Sequence, residues 1–198
     1  SPHFIFNCLN SIDNLIQTDE KDMATNYLAK FAKLIRAILE NSKQNVIPCW
    51  KDLESLRLYL ELEEFRYNNK FSYHIKIADE ILEGDYKVPP LIIQPFVENA
   101  IHHGLLNKQF GARDLWIDVS VDDDNTIKYT ITDNGVGRAQ ANIYNQINGD
   151  THFSMGMEVT IDRISLFNKG DHGGVKVTDL KDENNDAAGT QIEVWLLN

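Results

Sequence analysis

The sequence has 198 residues, of which 42% are hydrophobic, and this is sufficient for one sizeable domain with a smaller element attached. Lysine and arginine together number 19 and aspartate and glutamate 30, which gives a formal net charge of −11. Because no basic stripe or basic and aromatic cluster interrupts this acidic balance, direct nucleic-acid binding is not expected.

The cysteines Cys8 and Cys49 lie in apolar helical patterns without metal-ligand spacing, and we expect both to be reduced core residues. The chain shows no signal peptide and no long uncharged apolar run, so we expect this polypeptide to be soluble as given. It begins with Ser1 rather than Met, and a motif follows at once, which indicates a fragment of a longer protein.

Two amphipathic helices are predicted at the amino terminus, one over residues 3–17 and a second from about 22 to 41. Joined by a short polar break, they should pack as an antiparallel hairpin. Their apolar stripes are too small for an independent core, so we expect two copies to pair as a homodimer through a four-helix bundle. The amphipathic helical pattern breaks near Val46. This break predicts a hairpin domain over 1–45 and a second domain over 46–198.

The second domain is predicted to be α+β, with helices that cover one face of a mixed sheet in a two-layer sandwich. Helices are expected over 51–67, over 90–104 and from about 157. Alternating apolar residues predict strands at 71–77, 115–121, 127–131, 175–177 and 192–196.

Asp133 is predicted to point into this domain. It falls on the same strand parity as the apolar residues Ile127, Tyr129 and Ile131. A buried carboxylate costs several kcal/mol unless a group donates to it. The glycines that follow Asp133 permit positive φ and let a ligand lie against bare backbone, so a donor such as an adenine amino group fits.

The predicted helix over 90–104 carries a polar edge formed by Glu98, Asn99, His102 and His103. Adjacent histidines on a helix diverge by about 100°, and no third ligand stands nearby, so a zinc site is not expected. The amide oxygen of Asn99 suits instead a hard cation that keeps most of its waters and bridges substrate phosphates.

Three stretches carry a resemblance to a known family. Residues 96–104, Phe-Val-Glu-Asn-Ala-Ile-His-His-Gly, resemble the N box of the GHKL (Bergerat-fold) ATP-binding domain, and residues 133–137, Asp-Asn-Gly-Val-Gly, resemble its first glycine box. Residues 2–12, which begin Pro-His-Phe-Ile-Phe-Asn, resemble the phosphoacceptor box of the LytS/YehU-type sensor histidine kinases. The resemblance covers essentially the whole chain and implies a GHKL-type domain that follows a phosphoacceptor hairpin.

For the site, the resemblance implies that Asn99 holds Mg²⁺, with the catalytic Glu98 beside it in the same box. It implies that ATP is bound by a set of nine residues, namely Asn99, His102, His103, Asp133, Gly135, Gly137, Gly156, Met157 and Thr190. The position of His102 is usually a Lys that touches ATP phosphates, so weaker phosphate binding is expected here, whereas His103 matches the family's own histidine.

The second glycine box is matched less closely, since residues 154–157, Ser-Met-Gly-Met, keep one glycine where the family commonly has two. A helix is predicted just after, so the backbone N–H groups of Gly156 and Met157 are expected to meet phosphate oxygens. Residues 138–153 have the composition of a mobile cover over the nucleotide or of a plain surface loop. The final box resembles Gly189-Thr190, which places Thr190 near the adenine.

His3 is the expected phosphoacceptor. An exposed histidine before an amphipathic helix is usually only solvated, but the surrounding box and a nucleotide pocket in the same chain favour a chemical role. Its neutral imidazole would attack the γ-phosphoryl group of ATP, and Asn7, one helical turn on, would hydrogen-bond the ring and fix its tautomer. No acid flanks His3, and a general base is therefore not assigned.

The resemblance implies the cytoplasmic core of a two-component sensor histidine kinase, which passes its phosphoryl group to an aspartate of a response regulator. The full-length protein would be anchored at the cytoplasmic face of the bacterial inner membrane. One alternative is a GHKL ATPase, which needs a glutamate one turn before Asn99, where this chain has Pro95. Another is a non-catalytic nucleotide-binding dimerisation module, which the departures at His102 and Ser154 keep open.

Overall fold

The computed structural model describes residues 2–122, 125–138, 152–170 and 174–197, with side chains except at 2, 3 and 152–155. Its helices are α1 (Pro2–Gln17), α2 (Lys21–Asn41), α3 (Cys49–Arg66), α4 (Asp79–Glu83), α5 (Gln94–Asn99), a π-helical turn (Ala100–Leu105) and α6 (His152–Phe167). Its strands are β1 (Ile47–Pro48), β2 (Ser72–Ile77), β3 (Lys87–Val88), β4 (Asp114–Val121), β5 (Ile127–Asp133), β6 (Val175–Lys181) and β7 (Ala187–Leu196). None of the helices described combines the length and the apolarity needed to cross a membrane.

The helices α1 and α2 form the predicted antiparallel hairpin. The ring centroids of Phe4 and Phe31 are 6.5 Å apart, and the Tyr27 hydroxyl lies 3.4 Å from Cys8 Sγ. A later residue of α1 thus contacts an earlier residue of α2, so the two helices run in opposite directions. The hairpin also packs on α3, where the rings of Phe4 and Tyr59 have centroids 5.1 Å apart. The hairpin is therefore in direct contact with the second part of the chain.

The second part of the chain is the predicted α+β sandwich. Within the described residues its main sheet has five strands in the order β2-β4-β5-β7-β6, with β2 parallel to β4 and the other neighbours antiparallel. Buried and half-buried residues alternate along β5, so one face of this strand lies in the core. Asp133, the last residue of β5, is in register with Leu115 of β4 and Thr190 of β7. The sheet therefore presents Asp133 at the end of its central strand.

The prediction of a helix over 90–104 is wrong at its amino-terminal end. The helix α5 begins at Gln94, and Leu91 has a φ of 58°, which is incompatible with an α-helix. Proline is best tolerated in the first turn of a helix, and Pro95 therefore fixes the start of α5. The last residues, Ala100–Leu105, form a π-helical turn, which apolar spacing does not predict.

The helix predicted to begin after the second glycine box starts earlier, at His152. Gly156 and Met157 therefore lie inside α6, beyond the first residues whose N–H groups lack a helical partner. The carbonyl of Gly156 accepts a hydrogen bond from the Thr160 hydroxyl at 2.8 Å. The expectation that these two N–H groups stand at the start of a helix is therefore wrong, and their contact with phosphate stays a prediction.

Three short elements are not predicted from the sequence. The strands β1 and β3 form a separate antiparallel pair in which Ile47 lies opposite Val88, and α4 is a five-residue turn of helix. Elements this short contain too few residues for a hydrophobic period to be recognised. The domain boundary near Val46, just before β1, stays a prediction.

Candidate functional site

The centre of the candidate site is Asp133, which is only 5% exposed, as its strand parity predicts. Its Oδ1 accepts a hydrogen bond from the Gly135 N–H at 2.8 Å. Burial raises the pKa of the Asp133 carboxyl to about 6, against the lowering effect of the backbone N–H groups of Gly135 and Thr190. The carboxyl group is thus held in place by backbone donors while most of its hydration is removed.

Glycines surround Asp133 because the chain approaches it closely. A Cβ on Gly104 would lie 2.8 Å from Asp133 Oδ1, and a Cβ on Gly135 would overlap the backbone of Gly104. Gly189 has a φ of 128°, and a Cβ there would overlap the Asp133 carbonyl. The Cβ on Gly104 would crowd the carboxylate itself, whereas those on Gly135 and Gly189 would meet main-chain atoms that are already in place. The three glycines are therefore needed for the close packing of backbone around Asp133.

The two predicted motifs are joined by hydrogen bonds. The N–H of Val136, inside the first glycine box, donates to the carbonyl of Gly104 at the end of the N box at 3.2 Å. Lys108 fixes the same loop, since its Nζ donates to the Asn134 carbonyl at 2.7 Å and to the Ala112 carbonyl at 2.9 Å. Lys108 is not predicted as a site residue, because it follows the N box in a polar segment without periodicity.

Asn99 and Glu98 lie at the end of α5. The Glu98 Oε1 accepts a hydrogen bond from Gln94 Nε2 at 2.9 Å. The Asn99 Oδ1 is buried and, among the residues that the structure describes, has no hydrogen-bond partner. A buried acceptor without a partner is unfavourable unless a ligand occupies it, so this oxygen fits the donor set expected of a magnesium site.

His102 lies on the π-helical turn, with both ring nitrogens close to groups of the protein. Its Nε2 is 3.2 Å from Oε2 of the buried Glu63, and its Nδ1 is 3.2 Å from the Tyr67 hydroxyl oxygen. The phosphate contact implied for His102 stays a prediction. His103 is half-buried on the same turn.

The remaining predicted residues lie at different places around this centre. Thr190 is buried opposite Asp133 in β7, and Gly137 has a φ of 77° next to Ala187. Gly156 is exposed on α6, and the half-buried Met157 packs against the core. The structure thus places Thr190 beside the carboxylate, and the roles of the other three stay predictions.

The phosphoacceptor box occupies the start of α1. The backbone of His3 is helical, but its side chain lies outside the described residues, and Asn7 is half-buried one turn further on. The predicted cover at 138–153 also lies outside them, apart from Arg138 and the start of α6. Arg138 makes a two-pronged ion pair with Asp179 of β6, with both N–O distances 2.7 Å.

The chain is similar to known histidine kinases in sequence. Residues 1–71 match the histidine kinase family. The sensor histidine kinase/phosphatase LytS of Staphylococcus aureus is 36% identical over 137 residues, which are 69% of this chain and 23% of that protein. The chain therefore spans about a quarter of the length of this curated relative.

The fold is also similar to solved structures. The histidine kinase domain of the blue-light activated histidine kinase from Erythrobacter litoralis EL346 has a TM-score of 0.52 and 10% identity, with 86% of this chain and 74% of that chain covered. The mycobacterial sensor histidine kinase MprB has a TM-score of 0.50 and 13% identity, with 76% of this chain and 95% of that chain covered. At such identities these two likenesses concern the fold alone, and they agree with the sequence matches. The chain belongs to the LytS-type histidine kinases.

Proposed function

We propose that this chain binds ATP·Mg²⁺ and phosphorylates its own His3, as the phosphoacceptor and ATP-binding core of a sensor histidine kinase. The observation that carries the proposal is Asp133, a buried carboxylate at the end of a central strand beside the backbone of Gly104 and Gly135. Such a carboxylate favours a ligand that donates a hydrogen bond to it. The exocyclic amino group of adenine is such a donor.

Asn99 supports the proposed position of Mg²⁺. Its buried oxygen lacks a partner among the residues described, and an amide oxygen is a suitable ligand for this cation. When bound, Mg²⁺ would offset the negative charge of the phosphate groups. The neighbouring Glu98, hydrogen-bonded to Gln94, would supply a carboxylate on the same helix end.

In the proposed reaction, a neutral ring nitrogen of His3 attacks the γ-phosphorus of ATP. A nitrogen–phosphorus bond forms, the bond from the γ-phosphorus to the bridging oxygen breaks, and ADP leaves with that electron pair. The ring gives up its proton to solvent, so phosphohistidine and ADP are the products. Asn7 would hold the ring tautomer, as its place one helical turn after His3 allows.

Transfer of the γ-phosphoryl group to water instead of to His3 is disfavoured. A GHKL ATPase needs a general base one turn before Asn99, and that position is Pro95, in the first turn of α5. Proline has no side-chain group that can accept a proton. The same helix end would therefore position ATP without activating water.

The hairpin is proposed to pair with a second copy of the chain. Large apolar side chains are exposed along α1 and α2, namely Ile5, Phe6, Leu9, Ile16, Met23, Leu28 and Leu39. On α2 an apolar groove is lined in part by Leu28, Ile35 and Leu39. Burying these surfaces against an identical hairpin would remove them from water in a four-helix bundle.

Leu39→Glu is expected to weaken this dimer, because Leu39 is 60% exposed on the hairpin and a charge there would have to be buried on pairing. Sedimentation equilibrium should show a dimer for the parent and a shift towards monomer for the variant. Glu40→Gln, next to it, serves as the control that introduces no charge. A parent that stays monomeric at high concentration would contradict the pairing.

Family membership supports two further proposals. The phosphoryl group on His3 would pass to an aspartate of a response regulator, and the full-length protein would be anchored at the cytoplasmic face of the bacterial inner membrane. Phosphoryl transfer is measured by adding a purified candidate regulator to the phosphorylated chain and following the label from one protein to the other. Label that stays on the kinase with every regulator of the source organism would contradict it.

Asn99→Ala is expected to reduce the affinity for ATP in the presence of Mg²⁺ by about tenfold or more, because the proposed partner of the amide is the cation. Thermal unfolding should change little, since Asn99 Oδ1 makes no hydrogen bond within the described part of the chain. Calorimetry with and without Mg²⁺ measures the effect. An unchanged metal dependence would return Asn99 to a structural role and count against this site.

The affinity for ATP is expected to fall as the pH drops below about 6. The pKa of Asp133 is raised to about 6, so the ionised form that accepts the adenine amino group is lost as the pH falls through that value. At pH 5 only about a tenth of the sites would be ionised, which limits the loss to roughly tenfold. Calorimetric titrations across this range should show the fall in the parent but not in Asp133→Asn. An equal fall in both would contradict the assignment.

A further inference from the structure

Glu63 is a fully buried carboxylate near the end of α3. Its Oε1 accepts from Arg66 Nε at 2.9 Å, and its Oε2 accepts from Arg66 Nη2 at 2.6 Å. Burial acts to raise the pKa of Glu63, but the hydrogen bonds from His102 and Arg66 and the positive charge of Arg66 outweigh it and hold that pKa below its usual range. A buried carboxylate that is kept ionised in this way binds its remaining donor firmly.

That remaining donor is His102. With Nε2 next to Glu63 and Nδ1 next to the Tyr67 hydroxyl, a neutral ring satisfies both contacts in one way only: Nε2–H donates to Glu63, and Nδ1 accepts from Tyr67. The Tyr67 ring meets the His102 ring edge-on at 5.8 Å, and the Arg66 guanidinium lies 4.2 Å from the centre of the Tyr67 ring. The four side chains therefore fix one another.

This cluster joins α3 to the helix that carries Asn99. His102 lies three residues after Asn99, on the π-helical turn that continues α5 without a break. A π-helical turn is rare in proteins and is frequently found at functional sites. The His102 ring, held at both nitrogens, ties this turn to α3, and the place of Asn99 depends on the same continuous backbone.

We propose that Glu63, supported by Arg66, is a positioning residue that acts through His102 to place Asn99, and that His102 serves in this way rather than by contacting phosphate. The inference rests on the proposed function, because it concerns the Mg²⁺-dependent part of ATP binding. This role also explains why a histidine stands at position 102, where the resembled family usually has a lysine. The imidazole has two nitrogens at opposite edges, and they can contact Glu63 and Tyr67 at the same time.

The test compares Glu63→Gln, His102→Gln and the double variant by calorimetry with ATP, with and without Mg²⁺. Each single variant is expected to lose about tenfold in affinity with Mg²⁺, as for other residues that orient a metal ligand, and little without it. The double variant should lose no more than either single one, because both break the same chain of contacts. Glu61→Gln, on the same helix and paired at the surface with Lys30, is the matched control.

A second readout does not depend on nucleotide. The ring nitrogen shifts of His102 in the ¹⁵N spectrum should report the Nε2–H tautomer in the parent, and this preference should weaken in Glu63→Gln but not in Glu61→Gln. If thermal unfolding shows that Glu63→Gln does not fold, the calorimetric result for His102→Gln decides. The His102 side chain is 33% exposed, so its replacement should leave the fold intact.

Several outcomes would overturn the inference. If His102→Gln weakened ATP binding equally with and without Mg²⁺ while Glu63→Gln left it unchanged, His102 would be a phosphate contact. Additive losses in the double variant, or a parent ring in the other tautomer, would also contradict it. A parent that binds no ATP, although its His102 spectrum is as expected, would instead defeat the proposed function and leave the cluster structural.

Discussion

Replacing His3 with Gln is expected to abolish phosphorylation of a version of the chain that carries several further helical turns before Ser1, while the affinity for ATP stays unchanged. The extension is needed because the first turn of a helix frays when nothing precedes it, and helix nucleation is costly. Gln keeps the approximate size and polarity of His but has no ring nitrogen that can attack phosphorus. Autoradiography after incubation with γ-labelled ATP measures the loss, and calorimetry measures the affinity.

The unextended chain is the matched comparison for this variant. It should bind ATP as tightly as the extended protein, because the proposed nucleotide site around Asp133 lies in the second part of the chain. It should label itself poorly, because His3 would lie in a frayed first turn. Acid-labile, base-stable phosphate that persists in the extended His3→Gln protein would show that another histidine is the acceptor. His102 and His103 would then be examined first.

Asp133→Asn is expected to remove the preference for adenine and to weaken ATP binding by about ten- to a hundredfold, which corresponds to a charge-assisted hydrogen bond of about 1.5–3 kcal/mol. The amide can present its NH₂ to the ligand in place of an acceptor, and it has no charge. The fold should survive, because the side chain keeps its shape and an oxygen for the Gly135 N–H. Calorimetry with ATP and with GTP measures both effects.

Asp118→Asn provides the control, since Asp118 is an exposed residue on the neighbouring strand β4. It should bind ATP as the parent does. If Asp133→Asn bound ATP as tightly as the parent and still rejected GTP, Asp133 would not be the adenine acceptor.

Local periodicity was sufficient to predict the position of Asp133. Strand residues alternate between two faces, so three apolar residues of one parity placed the carboxylate inside, and the structure finds it 5% exposed between β4 and β7. The same alternation predicted the strands of the main sheet. A period of two is a local property of the backbone, and no knowledge of distant contacts is needed to use it.

Contacts between distant residues explain what the sequence did not predict. Leu91 keeps a positive φ where its N–H donates to the buried Asp52 at 2.7 Å, a residue 39 positions away, and apolar spacing carries no sign of it. Glu63 stands among Glu61 and Glu64, and its complete burial together with its contacts to His102 and Arg66 distinguishes it from its two neighbours. A charged pair at i and i+3 within an apolar helix was the available signal, but surface pairs have the same spacing.

Incubation of the extended protein with γ-labelled ATP and Mg²⁺, followed by identification of the labelled product, decides whether the chain transfers the γ-phosphoryl group to its own His3. We expect acid-labile, base-stable label on the protein at His3, formed together with ADP. Release of the label as free phosphate without a phosphoprotein would instead identify an ATPase. Neither product, from a protein that binds ATP, would identify a non-catalytic nucleotide-binding module, and either result would contradict the assignment as a histidine kinase core.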